Sequence, residues 1–157
     1  MALEFSQQTM QRFEELVARY PVREAALVPV LRMAQEEFGH LSGEAIVYVS
    51  SLMAMPPTRV YGAATFYSML HLKPVGTYHI QVCRTLCCSL MGAERILDHL
   101  EKRLGVKPGE TTADGRFTLC AVECLALCGT GPVMQVNDDD YENLTEKKVE
   151  EILQRLK

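Results

Sequence analysis

Six cysteines lie between residues 83 and 128 of a 157-residue chain, and none precedes them. Four stand as two pairs: Cys83 and Cys88 in a C-x4-C, then Cys124 and Cys128 in a C-x3-C. A thiolate is a soft ligand, and soft ligands suit zinc or an iron–sulfur cluster. Four thiolates drawn from two separate segments complete such a centre. Structural zinc commonly uses C-x2-C knuckles or their close relatives, which wrap one small ion. The wider arcs here suit a larger object whose irons each need two thiolates. A cluster is the leading reading of the spacing, and a zinc ion remains open beside it.

The other candidate groups point elsewhere. Cys87 adjoins Cys88 and so does not easily aim at the same metal. Cys120 reads as a small buried apolar residue. No C-x-x-C redox motif occurs. His40, His71, His79 and His99 follow no metal-ligand spacing and read as surface or strand positions. Asp138, Asp139 and Asp140 read as a solvated acidic turn. Met53 and Met55 read as core filler near a helix end. No G-x-G-x-x-G or Walker sequence marks a nucleotide site.

The elements that must position the thiols come in two kinds. The first half carries apolar residues at helical spacing. Met10, Phe13, Leu16 and Val17 form one stripe, closed by Pro21. Leu27, Val30, Leu31, Ala34 and Phe38 form another, with Pro29 near its start and Gly39 past its end. Ser42 caps a third helix containing Ile46, Val49, Leu52 and Met53. Pro57 opens a fourth, expected over Thr58 to Leu70. The pattern changes near Gly76. Tyr78, Ile80 and Val82 alternate with His79 and Gln81 as a half-buried strand that delivers Cys83. Leu90, Ala93, Ile96, Leu97, Leu100 and Leu104 read as one helix ending at Gly105, with Cys88 at its start. The free N–H groups of that first turn are expected to favour the Cys88 thiolate. Gly92, Gly129 and Gly131 are expected to let backbone approach sulfur. Strands follow at Phe117 to Ala121, Val133 to Val136 and near Tyr141, and Thr145 caps a last helix. The fold class is therefore α+β: a helical bundle over residues 1–73 and a small α/β layer over residues 74–157. Both cysteine pairs fall at strand C-terminal ends, where α/β sheets hold ligands.

Composition narrows the partners. Residues 1–76 hold six basic and seven acidic side chains, and residues 77–157 hold ten and thirteen. Neither half has a basic stripe, so nucleic acid is not an expected partner. The N-terminus shows no signal-peptide pattern, and no apolar run approaches a membrane span. In a reducing cytoplasm, six cysteines are poor candidates for disulfides.

At the cysteine loops the chain resembles a known family. Val82-Cys83-Arg84-Thr85-Leu86-Cys87-Cys88-Ser89-Leu90-Met91-Gly92 resembles the first cluster loop of the thioredoxin-like [2Fe–2S] ferredoxins. Val122 to Cys128, followed by Pro132 to Asp138, resembles the second. The helical half, including Gly62-Ala63-Ala64-Thr65-Phe66-Tyr67, is similar to the small [2Fe–2S] subunits of the NADH-dehydrogenase module of respiratory complex I. The resemblance implies a thioredoxin-like domain and a [2Fe–2S] cluster held by Cys83, Cys88, Cys124 and Cys128. It implies a flavoprotein partner that binds FMN and NADH and exchanges single electrons with the cluster. It further implies larger iron–sulfur subunits in the same complex. The chain would then sit in the cytoplasm as a peripheral part of a membrane-bound assembly, without inserting in the bilayer itself. It also implies a cis peptide at Gly131–Pro132. This chain departs from the usual Cys-Leu-Gly-Ala/Ser-Cys at Ala126 and Leu127, and has Gly131 where relatives commonly have Ala.

Three rivals accompany this reading. The same module serves in NAD-linked hydrogenases or formate dehydrogenases. A zinc-stabilised interaction module would be colourless. A thiol–disulfide oxidoreductase would need an accessible cysteine of low pKa rather than four thiolates tied to metal.

Overall fold

A computed structural model describes residues 3–156. The chain divides into two compact units, Met1–Pro74 and Val75–Lys157. In the first, helix α1 (Gln7–Val17) starts where the Ser6 side chain accepts the Thr9 N–H. Such a cap stabilises a helix by about 1 kcal/mol. Glu37 then accepts from both Thr9 Oγ1 and the Ser6 N–H, tying the start of α1 to α2 (Leu27–Phe38). Leu27, Val30, Leu31 and Ala34 are buried along one face of α2, as their spacing demands. Pro29 is its third residue, where a missing N–H costs nothing. Ser42 caps α3 (Gly43–Met53) by accepting from Ala45 N–H, and Met53 and Met55 fill the core.

Helix α4 (Pro57–Phe66) ends four residues before the expected Leu70. The reason lies in α2. Gln35 donates to the Met69 carbonyl and accepts the His71 N–H, and the His71 carbonyl takes the Leu41 N–H. These backbone groups trade helical partners for bonds that draw Leu70 into the core.

The second unit is a four-stranded mixed sheet in the order β2-β1-β3-β4. Its strands are β1 (Tyr78–Cys83), β2 (Phe117–Val122), β3 (Met134–Val136) and β4 (Asp139–Tyr141). Strand β1 runs parallel to β2 and antiparallel to β3. Ile80, Val82, Leu119 and Met134 pack against Ile96 and Leu100 of α6 (Ala93–Leu104) and Val149 and Ile152 of α7 (Glu146–Arg155). On the Ile80 and Val82 face β1 is buried, and on the opposite face His79 is buried while Gln81 stays half-buried.

The single helix expected from Leu90 to Leu104 is two. A short α5 (Leu86–Leu90) precedes α6, and Gly92 between them adopts φ +95°. That left-handed backbone breaks the helical ladder and favours glycine. Leu90 consequently leaves the apolar stripe and lies 80% exposed. Asp139 and Asp140 belong to β4, and Asp140 accepts from Gln135, so the acidic run is one residue of turn and two of strand. The Gly131–Pro132 peptide is cis.

Candidate metal centre

Parallel pairing decides where the cysteines meet. The register sets Cys83, the last residue of β1, beside Val122, the last residue of β2. Both loops therefore leave the same edge of the sheet, and Cys124 follows two residues after β2. The Arg84 N–H donates to the Val122 carbonyl and the Cys83 N–H to the Val133 carbonyl, which closes the strand ends around this edge. Across the two loops Arg84 grips Glu123, with its Nη2 2.7 Å and its Nε 3.1 Å from Oε1.

The thiols come in two unlike pairs. Cys83 and Cys88 are each 1% exposed and pack with Ala93, Val133, Leu125 and Leu127. Cys124 and Cys128 are exposed, with their sulfurs 3.5 Å apart. Backbone donors serve both pairs. The N–H groups of Thr85 and Leu125 reach Cys83, and that of Val133 reaches Cys88. Ala126 donates to Cys124 Sγ at 3.2 Å. Among the described residues, no three His, Cys, Asp or Glu side chains gather around one point that would hold a single ion. Two neighbouring pairs of thiols match a donor set in which each of two irons takes two sulfurs.

The electrostatics follow the burial. Burial pushes the Cys83 thiol up, yet hydrogen bonds from the Thr85 hydroxyl, Thr85 and Leu125 N–H groups and the Cys88 thiol outweigh it. Cys83 therefore lies below the ordinary cysteine value. Thr85 Oγ1 sits 3.3 Å from its sulfur. Cys88 is pushed up, first by burial and next by its bond to Cys83. This reverses the expected help from a helix start: Cys88 is only the third residue of a five-residue helix, and its own burial and the neighbouring thiol dominate. Cys128 is pushed up to about 11, first by its hydrogen bond to Cys124 and then by the charge of the same neighbour.

The remaining candidates fall as follows. Cys87 is exposed, and it adds in a minor way to the upward push on the Cys128 thiol. Cys120 is half-buried rather than a plain apolar filler, because its sulfur sits 3.2 Å from His79 Nε2. His99 contacts Glu150 at 2.9 Å, at a distance in sequence from any cysteine. Of the three glycines expected beside sulfur, Gly131 is shown there: a Cβ built on it would sit 3.5 Å from Cys88 Sγ and 3.1 Å from Met91 Sδ. A Cβ at Gly92 would meet the Arg95 side chain, and one at Gly129, which follows Cys128 directly, would meet nothing within 4 Å beyond its chain neighbours. Sequence reasoning missed two features. Ala126 holds φ +64°, a backbone that favours glycine, and the glycine usual in relatives at this position was the signal that could have shown it. Leu86, Leu90 and Met91 form an exposed apolar rim on and just after α5. Only the break at Gly92, hidden in a continuous stripe, would have revealed it.

Known proteins agree with this architecture. The family model for thioredoxin-like [2Fe-2S] ferredoxins matches residues 13–157. The E subunit of the NADH-quinone oxidoreductase of Rickettsia conorii is 46% identical over 155 residues, covering 97% of this chain and 93% of that one. An E subunit, numbered 2, of the NADH-quinone oxidoreductase of Rhizobium meliloti is 44% identical over 144 residues, covering 92% and 86%. The second-numbered subunit of the Thermus thermophilus NADH-quinone oxidoreductase is 46% identical over 147 residues, covering 92% and 81%. The crystal structure of an NAD+-reducing [NiFe]-hydrogenase in its air-oxidized state superposes with a TM-score of 0.73. At 21% identity it covers 83% of this chain and 22% of its own, a likeness of fold alone. With a family match across most of its length and relatives at this identity, the chain belongs to the thioredoxin-like [2Fe–2S] ferredoxin family.

Proposed function

We propose that this chain is the small electron-transfer subunit of an NADH:quinone oxidoreductase, with Cys83, Cys88, Cys124 and Cys128 as ligands of one [2Fe–2S] cluster. The observation that carries this is the parallel β1–β2 pair, which delivers two thiol pairs to one sheet edge. When bound, the cluster supplies a one-electron relay to a flavin that accepts hydride as an electron pair. The protein supplies four sulfurs and backbone N–H donors that favour negative charge on them. Leu125, Leu127 and Val133 exclude water from the inner pair. The full-length relatives at 42–46% identity favour the quinone-linked host over a hydrogenase. The hydrogenase likeness speaks for fold only.

The partner in this reading is the flavoprotein that binds FMN and NADH, and further iron–sulfur subunits complete the assembly. Two features support docking. The rim of Leu86, Leu90 and Met91 lies beside the thiols, where an electron partner must come close. In the helical unit Val47, Tyr61 and Phe66 are each more than half exposed, with Phe66 at 80%. Contiguous exposed apolar groups mark binding surfaces, and the Phe66 and Tyr67 rings lie 5.1 Å apart. No helix among the described residues is long and apolar enough to cross a membrane, which suits a peripheral place in the complex.

The test is reconstitution. The isolated chain is expected to be inert toward NADH, and its centre is expected to be reduced once the flavin subunit is added, read by EPR of the reduced protein. Leu90→Asp and Phe66→Asp are expected to weaken co-purification while the colour of the isolated chain persists. Reduction by NADH without the flavoprotein overturns the partnership.

A further inference from the structure

Gly131 stands beside the proposed centre, yet its backbone does not need a glycine. Its φ of −63° and ψ of 162° are extended values that any residue adopts. What a side chain there lacks is room. A Cβ would lie 3.1 Å from Met91 Sδ, 3.5 Å from Cys88 Sγ and 3.6 Å from Cys88 Cα. The two Cys88 distances are ordinary van der Waals contacts. Of these three nearest atoms, only the Met91 sulfur contests the space. Gly131 is buried although it has no side chain, and the Met91 thioether sits against the place where one would begin.

This contact joins the two cysteine loops. Met91 is the C-cap of α5 and stands three residues after Cys88, so the two share one face of that helical turn. Its N–H donates to the Cys87 carbonyl, and the left-handed Gly92 then turns the chain away. Gly131 follows Cys128 by three residues in the other loop. Leu90 is 80% exposed, whereas Met91 is 48% exposed with its sulfur tucked against Gly131. Cys88, against the same glycine, is 1% exposed. An unbranched thioether suits such a place, because it fills irregular gaps.

We propose that Met91 is a positioning residue of the metal centre: its thioether covers Gly131 and keeps water from the Cys88 sulfur, and position 131 is glycine to admit it. This rests on the cluster reading above. No bond forms or breaks in this role. Reduction by one electron adds a negative charge to a centre held by four thiolates, and water stabilises that charge better than a thioether does. A closed cover therefore holds the reduction potential down and slows the loss of iron. Removing the cover raises the potential and speeds the loss.

The test compares Met91→Ala, Met91→Leu, Gly131→Ala and the double variant Met91→Ala/Gly131→Ala, each purified anaerobically as the full chain. Reduction potential is read by spectroelectrochemistry, and iron loss by the fading of visible absorption in EDTA. Met91→Ala and Gly131→Ala are each expected to shift the potential upward and to bleach severalfold faster than wild type. Met91→Leu, apolar and of similar volume, is expected to keep both near their wild-type values. The double variant is expected to be no worse than Met91→Ala, because Gly131→Ala acts by displacing a side chain already gone. The inference is overturned if Met91→Ala leaves the potential unchanged, if Met91→Leu shifts it as far as Met91→Ala, or if the double variant shows the two single effects added. Where Gly131→Ala does not fold, Met91→Ala against Met91→Leu decides alone. A wild-type chain without iron and sulfide overturns the cluster reading and this one together. A loaded wild type whose potential ignores Met91→Ala overturns this one alone.

Discussion

The two cysteine pairs do the same proposed work from opposite environments. Cys83 ends the central strand and packs with Cys88, Ala93 and Val133, so the inner pair is part of the α/β core. Cys124 and Cys128 hang in a loop and stay exposed. The inner pair therefore answers to folding, and the outer pair to ligation alone. A centre built this way is anchored by one wall before any metal arrives and closed by the other.

The sharpest way to break this contrast is to weaken each wall in the cluster-free chain. Cys88→Ser places a hydroxyl at a site that is 1% exposed, and it is expected to lower unfolding free energy by about 1–3 kcal/mol. Cys124→Ser is expected to change it by less than about 0.5 kcal/mol, as surface substitutions do. Urea unfolding of the two variants decides the matter, and equal losses would erase the distinction.

The outer loop carries a strain that the inner wall lacks. Ala126 at φ +64° is expected to gain about 1 kcal/mol on replacement by Gly, and Ala126→Val is expected to lose more than that. Urea midpoints of both variants check the sign. A destabilising Ala126→Gly would mean the loop is not held in that conformation.

Thr85 sharpens the comparison from the other side. Its hydroxyl lies 3.3 Å from Cys83 Sγ and favours charge there. Thr85→Val in the loaded protein is expected to lower the reduction potential by roughly 20–60 mV, the equivalent of one hydrogen bond in a one-electron couple. Spectroelectrochemistry measures it, and an unchanged potential would mean that this hydroxyl does not act on the centre.

The smallest effect is expected at the rim. Arg84 and Glu123 bridge the two loops, but their side chains are 62% and 71% exposed. Arg84→Gln is expected to cost no more than about 1 kcal/mol, fading in salt, as exposed ion pairs do. Denaturation at low and high ionic strength reads the difference.

How much of this was legible in the sequence depended on the kind of signal. Apolar periodicity carried the helices of the first unit and the strands around Ile80 and Leu119. Capping residues such as Ser42 and Thr145 marked helix starts to the residue. Periodicity failed where two elements share one stripe, as at Leu90 and Ala93, because spacing records apolar positions and is blind to the left-handed turn at Gly92. It failed again past Phe66, where Gln35, distant in sequence, captures the chain. The cysteine spacing announced a centre, but not that one pair would be buried and the other exposed. That difference comes from β1 lying between β2 and β3, a tertiary fact no local pattern carries. The usual helix-start argument for Cys88 misled for the same reason: its burial and the sulfur of Cys83 outweigh one turn of helix.

The central claim is that these two walls of sulfur hold one [2Fe–2S] cluster. Metal analysis of the anaerobically purified full chain tests it most directly. The account predicts about two irons and two acid-labile sulfides per chain in a red-brown protein. One zinc per chain with no sulfide, in colourless protein, would contradict it.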